Sequence, residues 1–192
     1  MMLANNYLQG GHMARKNMGK AFRDLLAAKR IIVKPGAYDA LSARMIEAAG
    51  FESLGVSGYA VSAALLGKPD CGLVTLDEMV MVSRYVQGAV NIPAIADADT
   101  GHGNAINVMR TVEDFIRAGV GGIHIEDQVA PKRCGHVAGK QIIPVEEAAG
   151  KYRAAAKVRD ELDPDFVLIA RTDARGVAGG SVEAVIERAK AY

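Results

Sequence analysis

With 192 residues, 50% of them hydrophobic and 23% charged, the chain can bury one sizeable core and is too apolar for disorder. Its 23 Lys and Arg against 22 Asp and Glu leave a net charge of +1, which supplies no general field for nucleic acid or a membrane surface. Charges interrupt every apolar run before it reaches the length of a membrane span.

The first stretch, Met1 to Lys34, carries seven basic residues against one acid, Asp24. It reads either as an organelle-targeting segment or, more simply, as a loose tail over residues 1–17 leading into an amphipathic helix. Short β-branched or small apolar runs then alternate with longer helix-period stretches. The runs are Ile31-Ile32-Val33, Ser53 to Val56, Ala94 to Ala96, Gly122 to Ile125 and Phe166 to Ala170. Between them, Leu41, Met45, Ile46 and Ala49 share one helical face. Thr75-Leu76-Asp77-Glu78 is a capping box that opens a helix containing Met79, Val82 and Val86. Val108, Met109, Val112, Phe115 and Ile116 keep the 3.6-residue period. Pro144 is expected in the first helical turn, followed by Glu146 and Glu147, in a helix running to about Leu162; Ser181 caps a last one.

Apolar strands alternating with helices mean a parallel sheet covered by helices, either a (β/α)8 barrel or an open doubly wound sheet. No glycine-rich dinucleotide fingerprint follows the first strand. Polar residues collect after nearly every strand, which favours the barrel, where all strand ends surround one mouth. Five strands are found and the sequence stops at Tyr192 inside a helix. A barrel usually needs at least about 200 residues, so the expected domain, 18–192, is an α/β TIM-type barrel short of roughly three βα units at its C-terminal side.

The third strand ends Ala96-Asp97-Ala98-Asp99-Thr100-Gly101-His102-Gly103. Residues two apart on a strand share a face, so Asp97 and Asp99 are expected side by side at the mouth. Two such carboxylates either share a cation, for which Mg2+ with its hard oxygen ligands is suited, or serve as caps and partners of surface lysines. The fourth strand ends His124-Ile125-Glu126-Asp127-Gln128, with His124 and Glu126 on one face; with the two aspartates they make a polar patch unlike core filler. Arg171, after the fifth strand, meets either a substrate carboxylate or an internal acid, Glu126 or Asp173.

The loop Pro131-Lys132-Arg133-Cys134-Gly135-His136 is the sharpest feature. A cysteine flanked by Lys132, Arg133 and His136 lies in a positive environment that stabilises thiolate and makes the thiol a usable proton donor; the plain alternative is a basic loop with an incidental cysteine. Cys71 and Cys134 fit no zinc knuckle or disulfide framework, which points to a reducing, cytoplasmic-type compartment. The loop from Ser57 to Val74 holds Ser57-Gly58-Tyr59 and Lys68-Pro69-Asp70, where Ser57 and nearby amides either hold an anion or perform ordinary turn chemistry.

The set Pro35-Gly36-Ala37-Tyr38-Asp39-Ala40, Ser57-Gly58-Tyr59, Gly67-Lys68-Pro69-Asp70, Asp97-Ala98-Asp99-Thr100-Gly101, His124-Ile125-Glu126-Asp127-Gln128, Lys132-Arg133-Cys134-Gly135-His136 and Arg171-Thr172-Asp173 resembles the isocitrate lyase / phosphoenolpyruvate mutase superfamily, from Lys34 to Tyr192. The resemblance implies a barrel that binds Mg2+ (or Mn2+) and a small 2-hydroxy or 2-oxo carboxylic acid. It implies metal-side carboxylates at Asp97, Asp99 and Glu126, some through water, and a substrate pocket from Ser57, Gly58, Tyr59, His124 and Arg171. Asp70 would lie on a gating loop, and Cys134 would be the general acid of the lyase branch, supported by Lys132 and His136. The mutase branch lacks this cysteine loop.

Ser57-Gly58-Tyr59-Ala60 is most similar to the 2-alkylmalate lyase and petal-death group: methylisocitrate lyases have Tyr where Gly55 stands and Gly where Tyr59 stands. The implied reaction is retro-aldol cleavage of a 2-alkylmalate or 2-methylisocitrate to a 2-oxo acid and a carboxylic acid. Alternatives are oxaloacetate hydrolysis, phosphonomutase chemistry and a non-catalytic barrel. A homotetramer is implied as well, with no nucleic-acid or membrane partner.

Overall fold

The computed structural model describes residues 17–192, so the tail expected before Asn17 lies outside the described residues. Five strands, β1 (Gly36–Ala37), β2 (Leu54–Val56), β3 (Ala94–Asp97), β4 (Gly122–Glu126) and β5 (Val167–Arg171), form one all-parallel sheet. Their spatial order is β1-β2-β3-β4-β5. Each strand lies beside its chain neighbour, so the sheet has no point where the winding reverses. A doubly wound sheet requires such a point; an arc of a (β/α) barrel does not.

The helices are α1 (Met18–Ala27), α2 (Ala40–Ala48), α3 (Gly58–Val61, continued by a π turn through Leu66), α4 (Leu76–Ala89), α5 (Ala105–Ala118), α6 (Val145–Leu162) and α7 (Val182–Ala191). Local chemistry explains most of their starts. Thr75 and Glu78 form the expected capping box, Asn104 accepts from the Ile106 and Asn107 amides, and Ser181 accepts from the Ala184 amide. Pro144 stands one position outside α6 rather than in its first turn. Among the described residues, no helix is long and apolar enough to cross a membrane.

Two further sequence expectations change. Ile31 to Val33 is not a strand; β1 is the two-residue Gly36–Ala37, and Ile31 is 89% exposed. Pairing decides this, because β1 has a partner only in β2, at Gly36 and Ala37. The apolar stripe of α2 is also turned around: Leu41 and Met45 are exposed and Ala43 is the buried residue. Of the expected stripe, Ile46 packs against the core.

The two faces of the sheet hold different chemistry. Ala94, Ala96, Ile123 and Ile125 face the helices and join Val108, Val112, Phe115 and Ala155 in the main core. The alternate residues face the barrel interior. At the N-terminal ends of the strands, Phe22 of α1 packs with Ile95 and Val167 and closes the floor. Gly19 and Gly121 let α1 approach: a Cβ at either would meet backbone oxygen of Asp165 or Met18, at 2.6 Å and 2.7 Å. One level up, the interior turns polar.

Gly122, inside β4, leaves room for only a hydrogen, since a Cβ would lie 2.3 Å from the Val167 carbonyl oxygen. Gly88, in α4, has nothing within 4 Å of that position. Gly122→Ala is expected to destabilise the fold by about 2–3 kcal/mol, whereas Gly88→Ala stabilises it by about 0.5–1 kcal/mol. Chemical denaturation of both variants checks the pair.

Candidate active site

The polar groups converge at the C-terminal ends of β2 to β5, where barrel sites are built. Asp97 ends β3, and its Oδ1 accepts from the Asp99 amide at 3.0 Å. Asp99 does not reach the site by strand alternation, because its φ is +45° and the strand has already ended. A left-handed turn, with Gly101 and His102 also at positive φ, brings its carboxylate back to the mouth. Lys151 of α6 donates to the Thr100 carbonyl and Thr111 of α5 to that of Gly101, so two helices hold this turn in place.

Lys132 is the hub. Its ammonium, 4% exposed, lies 2.5 Å from Asp70 Oδ1 and 2.8 Å from Asp99 Oδ1. Burial alone would push this ammonium down; Asp99 and Asp70 outweigh that and hold it above its ordinary value. The Asp70 loop is therefore closed onto the cysteine loop. Glu126, 3% exposed, pairs with Arg171 at 3.1 Å through Oε2, while its Oε1 is buried without a hydrogen-bond partner. Burial pushes its carboxyl up to about 8, against the opposing pull of Arg171 and Lys132. Burial and the neighbouring Asp97 likewise raise Asp99 to about 6. Arg171 also grips Asp173 at 3.1 Å, so both internal partners considered from sequence are present together.

His124 shares the interior face with Glu126. Its Nε2 is 3.1 Å from the Lys34 ammonium, which sequence reasoning did not assign to the site. Burial and the positive charge of Lys34 push the imidazole down to about 4, so it is neutral and accepts from the lysine at Nε2. Gly55 makes this possible: a Cβ there would sit 2.9 Å from Lys34 Nζ. The departure noted at Gly55 is thus the opening through which Lys34 enters.

Ser57 caps α3, its hydroxyl accepting from the Ala60 amide, so turn chemistry accounts for it. Gly58 packs on Asp97, where a Cβ would lie 2.8 Å from Oδ2. Tyr59 is exposed and lines the mouth.

Above these groups lies an open cleft of about 1080 Å3 whose walls include Tyr59, Asp70, Leu73, Lys132, Cys134 and His136. Cys134 Sγ is 3.7 Å from His136 Nδ1. Lys140, a buried lysine that the sequence did not single out, donates to the Gly135 and Val137 carbonyls at 2.7 Å and 3.0 Å and shapes the loop around the thiol. Gly135 lies over Arg171, since a Cβ there would collide with the guanidinium. Structure therefore brings together Asp70, Asp99 and Lys132; Glu126 and Arg171; His124 with Lys34; and Cys134 with His136. Among the described residues, no three His, Cys, Asp or Glu side chains gather closely enough to hold an ion directly. Asp97, Asp99 and Glu126, the carboxylates expected on the metal side with some acting through water, all stand at the strand ends; Glu126 Oε1 is buried without a hydrogen-bond partner, and Asp99 Oδ1 is buried with none beyond its ion pair with Lys132.

The chain matches the phosphoenolpyruvate phosphomutase family over residues 22–192. It belongs to the isocitrate lyase / phosphoenolpyruvate mutase superfamily. It is 47% identical over 176 residues to a 2,3-dimethylmalate lyase of Eubacterium barkeri, covering 92% of this chain and 60% of that protein. It is similar to a solved oxaloacetate acetylhydrolase bound to 3,3-difluorooxalacetate, with 43% identity and a TM-score of 0.87 over 91% of this chain and 59% of that one. A phosphonopyruvate hydrolase solved with oxalate and Mg++ shares 34% identity and a TM-score of 0.83, over 92% and 59% of the two chains. The chain thus spans about three fifths of the length of these relatives.

Glu126 sets a pH dependence. Its carboxyl stays protonated in the fold up to about 8, while the unfolded chain releases that proton near the ordinary 4.5. The folded state therefore binds more protons across this window, and metal-free stability falls as pH rises through it. Glu126→Gln is expected to flatten the fall and to exceed wild type by more than about 1 kcal/mol at pH 9. Urea unfolding at a series of pH values checks it.

Proposed function

We propose that this chain forms the reaction centre of a divalent-cation-dependent carbon–carbon lyase acting on a 2-hydroxy di- or tricarboxylate, of 2-alkylmalate or 2-methylisocitrate type. The observation that carries the reading is the position of Cys134. Cys134 lines the cleft on a loop held by Lys132, and Gly135, the next residue, lies against Arg171, which pairs with Glu126.

In retro-aldol cleavage the C2 hydroxyl gives its proton to an ionised carboxylate of the mouth, a role open to Asp99, as C2 becomes a carbonyl. The C2–C3 bond breaks, and its electron pair goes to C3 as the enolate of a carboxylate. A thiol across the cleft supplies the proton to C3, and Lys132 and His136 stabilise the thiolate left behind. Arg171, already gripping Glu126 and Asp173, presents a planar fork to the substrate carboxylate. Closure of the Asp70 loop on Lys132 keeps bulk water from the enolate. Leu73, Pro69, Pro131 and Val137 give the cleft an apolar wall, which suits a leaving fragment bearing an alkyl group.

The donor set fits Mg2+. Glu126 carries a buried oxygen without a hydrogen bond, Asp97 and Asp99 stand nearby, and the burial that disfavours ionised carboxylates is what a bound cation relieves. When bound, the ion would act as a Lewis acid on the C2 oxygen, held largely through water. The likeness to oxaloacetate acetylhydrolase supports a second reading, cleavage of oxaloacetate by water to oxalate and acetate.

The chain with Mg2+ is expected to release a 2-oxo acid from 2,3-dimethylmalate, detected as its hydrazone, and to lose this activity with EDTA. Cys134→Ser should lower the rate by about 10²–10⁴-fold. Equal rates for wild type and variant would remove the thiol from its role. Oxalate formed from oxaloacetate, with no cleavage of the alkylmalate, would establish the second reading instead.

A further inference from the structure

Gln128 is not among the groups that face the cleft, yet its side chain ties the catalytic loop to the carboxylate-binding arginine. The residue is 1% exposed. Its Oε1 accepts from the Arg133 amide at 3.0 Å, and its Nε2 donates to the Arg133 carbonyl, also at 3.0 Å. The same Nε2 donates to Asp173 Oδ2 at 3.0 Å. Both hydrogens and the carbonyl oxygen of the amide are therefore engaged, and no other neutral side chain of this length offers that donor and acceptor set.

Each contact has a consequence. Arg133 stands immediately before Cys134, so gripping both of its backbone groups fixes the segment that carries the thiol. Asp173 holds the Arg171 guanidinium through both oxygens, at 3.1 Å and 3.2 Å. Asp173 is itself seated by its amide, which donates to the buried Asp127 at 3.0 Å. Gly135, one residue past the thiol, rests on Arg171. The cysteine loop and the arginine thus touch directly and are also joined through one buried amide.

We propose that Gln128 is a positioning residue that locks the Cys134 loop over Arg171, so that the proton donor and the carboxylate-binding fork keep one fixed separation. The proposal deepens the lyase reading and rests on it for its catalytic meaning. A misplacement of about 1 Å between reacting groups can cost about 10²-fold in rate, which is the scale such a lock protects.

The peptide bonds after Lys132 and Arg133 are trypsin sites, which gives a test independent of turnover. In Gln128→Met, which keeps the volume and removes all three hydrogen bonds, cleavage after Arg133 should rise about tenfold. Cleavage after Arg30, remote from the loop, should stay within twofold of wild type. Where Gln128→Met does not fold, Gln128→Asn carries the same comparison; it stays neutral and keeps the amide, but one methylene shorter it cannot reach Arg133 and Asp173 together. Unchanged cleavage after Arg133, or a parallel rise after Arg30, would overturn the lock. In dimethylmalate cleavage the variant should lose about tenfold in kcat with KM within threefold, the pattern of a misplaced donor rather than a lost binding contact. A wild-type chain without turnover would count against the lyase reaction alone, since the cleavage pattern decides the lock by itself.

Discussion

The site depends on one buried ammonium. Lys132 has almost no contact with water, and only the carboxylates of Asp70 and Asp99 make its burial tolerable. Those acids come from different segments: Asp70 from the long loop after α3, Asp99 from the turn after β3. One charge therefore draws two loops and the Cys134 loop to a common point. Removing any partner would leave an uncompensated charge in a dry place, so the three segments hold or open together.

The same economy governs the rest of the mouth. Glu126 is kept acid-heavy by burial, and Arg171 only partly offsets this. Arg171 in turn divides its fork between Glu126 and Asp173. His124 stays neutral because Lys34 and burial both oppose its protonation. These shifted groups stand at the C-terminal ends of neighbouring strands, each held by a partner within the fold, and the proposed reaction would find them already oriented. Preorganisation of this sort lets a site act without reorganising its own dipoles.

Beneath the mouth, the barrel floor explains why the charges can sit there. Phe22, Ile95 and Val167 close the interior below His124, and the helix-facing layer of small and branched residues holds the strands in sequential register. The interior thus changes from apolar to polar within one strand length. Glycines mark the tightest points of this transition. Gly55 admits Lys34, Gly58 accepts Asp97, and Gly135 lies against Arg171.

Much of this was legible in the amino-acid order. The strand and helix alternation, the capping box at Thr75, the shared face of His124 and Glu126, and the basic setting of Cys134 follow from local rules with a period of two or 3.6. Other features are not local. Lys34 belongs to the site because Gly55, a neighbour only across the sheet, leaves it a passage; Asp99 arrives by a left-handed turn rather than by alternation. Ile31 to Val33 looked like a strand but pairs with no strand among the described residues, and of the α2 stripe Ile46 reaches the core while Leu41 and Met45 face outward. Gln128 stood in plain view within a motif, but its role comes from contacts with Arg133 and with Asp173, 45 residues away. Sequence determines what each segment prefers and which groups it can offer. Which of those groups meet, and at what charge, is decided only when burial removes water and makes an unpaired polar group costly.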